Sequence, residues 1–207
     1  MSTHRLIAYT DYKSPYAYLA KGPTYELGEA FGIAVEWRPY ILNIPDFLGS
    51  ARIDADGKVI EADRTPHQWR RARYAYMDCR RKARARGLVL RATTKIWDSS
   101  LAAAGMLFAQ QAGAAPFRRY HNAVFARFWQ REIDIEDQEQ IAAVLTEAGA
   151  DGAAFPAWAE EGRARVAAIS REAEEQGVFG VPSFLLDGEL FWGNETIPDI
   201  EARLAVG

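Results

Sequence analysis

The stretch Val178-Phe179-Gly180-Val181-Pro182-Ser183-Phe184-Leu185-Leu186-Asp187-Gly188-Glu189-Leu190-Phe191-Trp192-Gly193-Asn194-Glu195 restricts the fold more than any other part of the chain. Residues 183–186 are β-prone, Asp187-Gly188 is the dipeptide of a two-residue type I′ turn, and residues 189–192 supply a returning strand. Together they make a β-hairpin entered through a proline. Pro182 has no N–H to give to a sheet ladder, so it belongs at a strand's first residue or on an edge. There it either leaves neighbouring backbone free to pair with another molecule or simply closes a loop ahead of an edge strand.

At the other end, Leu6-Ile7-Ala8-Tyr9 is strand-like, and Thr10-Asp11-Tyr12-Lys13-Ser14-Pro15 is a loop ending in a helix start. Ser14 suits the N-cap and Pro15 the first helical position. The helix carries Tyr16, Leu19, Tyr25 and Leu27, and a kink is expected at Gly22-Pro23 because Pro23 lacks a donor. Gly32 suits its end, and Ile33-Ala34-Val35-Glu36-Trp37 is a second strand. Strand, helix and strand form a βαβ unit. Its first loop brings Ser14 to a strand's carboxyl edge and a helix N-terminus, where α/β sheets commonly bind ligands.

From about 43 to 162 the chain changes character, with a polar connection over 50–63 that turns at Asp56-Gly57 and helical periodicity dominating after it. In 65–86, Trp69, Ala72, Tyr76, Cys79 and Ala83 recur at steps of three and four, a buried stripe in which Cys79 packs. Around it stand Arg70, Arg71, Arg73, Arg80, Arg81, Lys82, Arg84 and Arg86 with the single acid Asp78, either a solvated face or a wall for an anionic substrate. A helix capped by Asp98 or Ser99 runs to Gly113, and the next, from Pro116, places Phe117, Tyr120, Val124 and Phe128 on one face, as core or a dimer seam. A fourth, capped by Asp134, covers 136–148, and a short fifth begins at Asp151. A helix over 162–176, the hairpin and a last helix over 197–206 complete an α/β chain. Its frame is 1–42 with 163–207, and 43–162 is an all-helical insertion.

At 207 residues and 49% hydrophobic, the chain is long enough for a well-buried core in one domain, with or without a large insertion. A net charge of -3 gives no global argument for nucleic acid or a membrane surface. The one cysteine, Cys79, excludes an internal disulfide and a cysteine metal cluster. His4, His67 and His121 form no ligand pair at helical spacing, so no metal is expected. With neither a signal-peptide core nor a long apolar span, a cytoplasmic location is expected.

With both ends placed, the sequence resembles the DsbA-like branch of the thioredoxin superfamily. Within that branch it is similar to the kappa-class glutathione transferases and the 2-hydroxychromene-2-carboxylate isomerases. The similarity covers essentially the whole chain and is most specific at Tyr9-Thr10-Asp11-Tyr12-Lys13-Ser14-Pro15-Tyr16-Ala17-Tyr18-Leu19, at Trp37-Arg38-Pro39-Tyr40 and at residues 177–195. It implies a thioredoxin-like fold with a large all-helical insertion, and a cis-proline loop at Pro182. Redox members carry C-x-x-C where this chain has Ser14-Pro15-Tyr16-Ala17. Disulfide exchange needs an attacking thiolate and a resolving thiol, and positions 14 and 17 supply neither. Serine there can donate a hydrogen bond to another molecule's thiolate, which in the resembling families belongs to glutathione.

A free thiol has a pKa of about 8.5. A helix N-terminus offers an anion about 0.3–1 kcal/mol and a hydrogen bond to a charged group about 1.5–3 kcal/mol, together enough for thiolate to dominate near neutral pH. The resemblance implies Ser14 as the catalytic residue, with the Val181 backbone pairing with the cysteinyl part of glutathione beside Pro182. It implies that Asn194 and Glu195 hold the γ-glutamyl group, Glu195 facing its ammonium. Thr196 stands where relatives carry a basic residue, and Arg64 or an arginine of the 70–73 cluster is a candidate replacement. Residues 39–50 depart from the apolar, glycine-containing run usual after Arg-Pro, so substrate shape does not transfer.

The expected function is a glutathione-dependent isomerase of an electron-poor aromatic carboxylate, working by thiolate addition, rotation and elimination. A transferase would stop after addition, and a non-catalytic thioredoxin-like module would use the Pro182 loop only to bind peptide. A third alternative is redox sensing through Cys79. Dimerisation is common in these families, and the aromatic helix over 116–129 offers a seam for a homodimer.

Overall fold

The computed structural model describes residues 4–54 and 56–206. Strand β1 (Leu6–Thr10) leads through helix α1 (Pro15–Phe31) to strand β2 (Val35–Pro39). There follow a short helix α2 (Ile44–Leu48), strands β3 (Ala51–Ile53) and β4 (Val59–Ala62), and helices α3 (Pro66–Ala85), α4 (Ser100–Gln111), α5 (Ala114–Gln130) and α6 (Gln138–Ala148). Helix α7 (Phe155–Glu175), strands β5 (Ser183–Leu186) and β6 (Glu189–Trp192), a 3-10 turn (Asn194–Thr196) and helix α8 (Ile197–Val206) close the chain. The main sheet has the order β2-β1-β5-β6, with β1 parallel to β2 and antiparallel to β5. Every residue of β1 is buried, the pattern of a strand covered on both faces.

The expected hairpin is present. Asp187 and Gly188 both have positive φ, 52° and 92°, as a type I′ turn requires. The Arg5 N–H donates to Asp187 Oδ1 at 2.8 Å and the Asp187 N–H to the Arg5 carbonyl at 3.0 Å, which fixes Leu186 opposite Leu6. In α1 the helix is uninterrupted at Pro23, where a kink was expected. The carbonyl that Pro23 leaves without its usual donor belongs to Leu19, and the Arg86 guanidinium donates to it at 2.5 Å.

The insertion is mostly helical, but within what was read as a polar connection Ala51–Ile53 and Val59–Ala62 form the antiparallel pair β3-β4. Its strands are largely exposed, so no burial alternation marks them. The limit drawn at residue 162 falls inside α7, which runs through what was read as two helices. Gly162 is a close-approach residue: a Cβ there would lie 2.4 Å from the Trp158 ring and 2.9 Å from the Ala104 Cβ. Helix α6 is capped by Asp137, not Asp134, its Oδ1 accepting from the Glu139 and Gln140 N–H groups. Of the two candidates for α4, Ser99 takes the N-cap position without a side-chain cap bond, and Asp98 just before it accepts from the Ser100 N–H at 2.9 Å.

The aromatic face of α5 is interior, with Tyr120 and Val124 fully buried and Phe117 and Phe128 nearly so. It is core and cannot serve as a dimer seam. Tyr18 of α1 stacks on Phe125 with centroids 5.6 Å apart, and Tyr12 packs on the same ring at 4.7 Å. Frame and insertion therefore share one core. No described helix is long and apolar enough to cross a membrane.

Candidate functional site

Ser14 stands at the junction of β1's exit loop and α1. Its Oγ accepts from the Ala17 N–H at 3.2 Å, as a helix cap should, and donates to the Val181 carbonyl at 3.4 Å. The Val181-Pro182 peptide is cis, and the Val181 N–H has no backbone partner among the described residues. Sequence positions 14 and 181–182 are thus brought face to face. The Ser183 hydroxyl donates to the Gly180 carbonyl at 2.7 Å, bracing the loop from behind.

The two residues open into a cleft of about 810 Å³. Opposite them, α3 supplies Trp69, Arg71, Arg73, Tyr76 and Arg80. The stripe foreseen in that helix is divided by depth: Ala72, Cys79 and Ala83 are buried, whereas Trp69 and Tyr76 are half-buried along the cleft. Tyr76 is held by a 2.8 Å hydrogen bond to Thr93. Trp69 lies between two guanidinium groups, Arg64 at 5.1 Å and Arg73 at 5.9 Å from its ring centre. Lys13, Arg64, Arg71, Arg73, Arg80 and Lys95 line the cleft, and no aspartate or glutamate does. Phe179 and Trp192, half exposed and 5.0 Å apart, form part of the rim.

Asn194 and Glu195 do not line this cleft. They occupy the 3-10 turn beyond β6, tied to the proline loop by the Gly193 N–H donating to the Pro182 carbonyl at 2.9 Å. Both polar atoms of the Asn194 carboxamide are buried without a partner among the described residues. Glu195 is exposed, with its carboxylate folded over Gly193. Thr196 donates its hydroxyl to the Gly193 carbonyl at 2.9 Å, a local closure of the turn.

Lys13 and Lys95, with Trp97, were missed as site residues. Lys13 reads as a solvated loop lysine, and only its burial sets it apart. Cys79 is fully buried, and burial pushes its thiol up to about 12, which opposes a sensing role. His121 is also fully buried, ringed by Tyr12, Tyr25, Trp37, Phe117 and Phe125, and burial holds its pKa well below the ordinary value. It is a neutral core residue whose Nδ1 meets the Tyr12 hydroxyl at 3.1 Å. Among the described residues, no group of His, Cys, Asp and Glu comes together as a metal site.

Two curated relatives named 2-hydroxychromene-2-carboxylate isomerase, from Sphingobium xenophagum and Pseudomonas putida, are each 27% identical to this chain. The first alignment covers 95% of both chains, the second 95% of this chain and 92% of the relative. A solved structure of 2-hydroxychromene-2-carboxylate isomerase superposes with a TM-score of 0.74 at 25% identity, covering 97% of this chain and 94% of the other. The DSBA-like thioredoxin domain model matches residues 5–205. A mixed sheet with a cis-proline loop facing the first helix, matched over that span, establishes that the chain belongs to the DSBA-like thioredoxin domain family.

Proposed function

We propose that this protein is a glutathione-dependent isomerase acting on an electron-poor aromatic carboxylate. The observation that carries the proposal is the hydroxyl of Ser14. One of its two lone pairs is taken by the Ala17 N–H, while its proton has only a 3.4 Å contact with the Val181 carbonyl, long for an O–H···O bond. That proton is available to a better acceptor. Positions 14 and 17 carry no sulfur, and the one cysteine is buried, so the reactive thiol must come with a ligand.

The residues fit glutathione. The Val181 N–H and carbonyl flank Pro182 as a main-chain docking edge. Outside the cleft, the Asn194 carboxamide has a donor and an acceptor without partners among the described residues, and it would have to open toward the proline loop to meet a γ-glutamyl end, with Glu195 exposed beside it. When bound, glutathione would supply a thiolate that adds to an alkene, permits rotation and leaves again. Ser14 would donate its proton to that sulfur, at the N-terminus of α1, where the helix favours negative charge. Arg71, Arg73 and Arg80 would hold the acceptor's carboxylate, and Trp69 and Tyr76 would lie against its rings. The names of the curated relatives favour isomerisation over the transferase outcome that the same groups would allow.

Calorimetry with glutathione, followed by an isomerisation assay on chromene carboxylates and aromatic pyruvates, tests the proposal. Saturable binding and glutathione-dependent turnover are expected. Failure of millimolar glutathione to bind would overturn it.

A further inference from the structure

Lys13 immediately precedes Ser14 and lines the same cleft, yet its side chain is only 5% exposed. A lysine ammonium this far from water needs compensating groups. Asp11 of its own loop and Asp98 of the loop before α4 supply negative charge, and Arg163 of α7 shares Asp98 with it. Asp11, fully buried, places Oδ2 3.5 Å from Nζ. Burial pushes the Asp98 carboxyl up, but its hydrogen bonds with Ser100 and the charges of Arg163 and Lys13 more than offset that, leaving it below the ordinary carboxylate range.

Asp11 is already engaged, accepting from the Lys13 N–H at 3.1 Å and the Leu42 N–H at 2.8 Å. A separation of 3.5 Å is well beyond the roughly 2.7–2.9 Å of a charge-assisted hydrogen bond. Among the described residues the ammonium has no closer polar partner. Asp11 therefore balances the charge of Lys13 without using its donors. A buried ammonium with donors to spare, one residue from a serine whose own proton is poorly matched, has the make-up of an anion site.

We propose that Lys13 is the cation that, beside Ser14 and the N-terminus of α1, sets the ionisation of a thiol bound in the cleft. This rests on the glutathione reading above. On ionisation the S–H bond breaks, its proton leaves to solvent and no covalent bond of the protein changes. An opposite charge within hydrogen-bonding range of an acid lowers its pKa by about 1–3 units. Ser14 stabilises the same sulfur as a neutral donor, and the charge of Lys13 adds to that shift.

The test is a pH titration of the thiolate absorbance of glutathione bound to the full chain, for the wild type, Lys13→Met, Lys13→Arg and the double variant Lys13→Met/Asp11→Asn. Lys13→Met should move the onset of thiolate formation up by about one pH unit or more. Lys13→Arg should restore most of the shift. Binding of S-methylglutathione, whose sulfur cannot ionise, should change less than about threefold. The double variant removes the Asp11 carboxylate that Lys13→Met would leave without its cation, and its onset should lie between those of the wild type and Lys13→Met even if the single variant folds poorly. An unchanged onset in either Lys13→Met background would overturn the role of Lys13 while leaving the glutathione reading intact. Absence of glutathione binding by the wild type would sink both, and calorimetry separates the two failures.

Discussion

At position 14 one oxygen serves two geometries, receiving the Ala17 N–H at 3.2 Å and directing its proton toward Val181 at 3.4 Å. The two uses separate on substitution. Ser14→Ala removes a helix cap, at about 1 kcal/mol, which in a chain of 207 residues lowers the melting temperature by roughly 2–4 °C. It also removes the donor to a bound sulfur, which at about 1.5–3 kcal/mol lowers glutathione-dependent turnover roughly 10–100-fold. Melting curves beside steady-state rates check both, and a variant that lost stability but kept its rate would leave Ser14 as a cap only. Ser14 and Pro182 were legible in the sequence because serine before proline and proline before a β-run are local signals. Lys13 was not, because nothing local distinguishes a solvated loop lysine from one enclosed by Asp11, Asp98 and Arg163.

Between elements, Lys21 connects α1 to α5, donating from Nζ to the Asn122 Oδ1. Burial, helped by the nearby Arg118 charge, lowers its pKa from the ordinary 10.5 to about 8. A base depressed in the folded state binds fewer protons there than in the unfolded chain, so its destabilising effect is complete below pH 8. The effect fades as the pH rises from about 8 to 10.5, and stability climbs across that window. Lys21→Met should be more stable than the wild type near neutral pH, with the difference vanishing by about pH 10.5, as denaturant melts across that range would show.

The α4–α7 contact makes the opposite demand. Gly162→Ala gains roughly 1 kcal/mol of helix propensity, but the new methyl meets Trp158 at 2.4 Å and Ala104 at 2.9 Å. Overpacking of this kind costs about 1–3 kcal/mol, so net destabilisation by urea melt is expected. These elements mark the limit of what periodicity showed. The helices with an apolar face were legible, whereas β3, three residues long, and β4, exposed throughout, were too short and too exposed to show an alternation. Gly162 looked like a helix boundary because close approach and helix breaking leave the same letter in the sequence.

For the whole molecule, net charge and site charge have opposite signs. The chain carries -3, yet the cleft is lined by Lys13, Arg64, Arg71, Arg73, Arg80 and Lys95 without a carboxylate. The sequence showed the arginines of residues 65–86 but not which of them face inward. Arg81 and Lys82 are drawn to Asp78, Arg86 to the Leu19 carbonyl, and Arg70 and Arg84 are exposed outside the cleft, which leaves Arg71, Arg73 and Arg80 on it. If net charge governed the approach of an anionic substrate, added salt would screen repulsion and speed turnover at low substrate. If the cleft's field governs, salt screens attraction and slows it, with most of the change below about 0.15 M ionic strength, where the Debye length is still about 8 Å or more. The second outcome is expected. Arg71→Gln/Arg73→Gln/Arg80→Gln should raise KM for an aromatic carboxylate about tenfold, at roughly 0.5 kcal/mol for each exposed charge, and leave kcat within about twofold. The same variant should flatten the salt dependence while glutathione binding, centred on Ser14 and Val181, changes less. Turnover that rose with salt in the wild type would remove the arginine wall from the substrate's path.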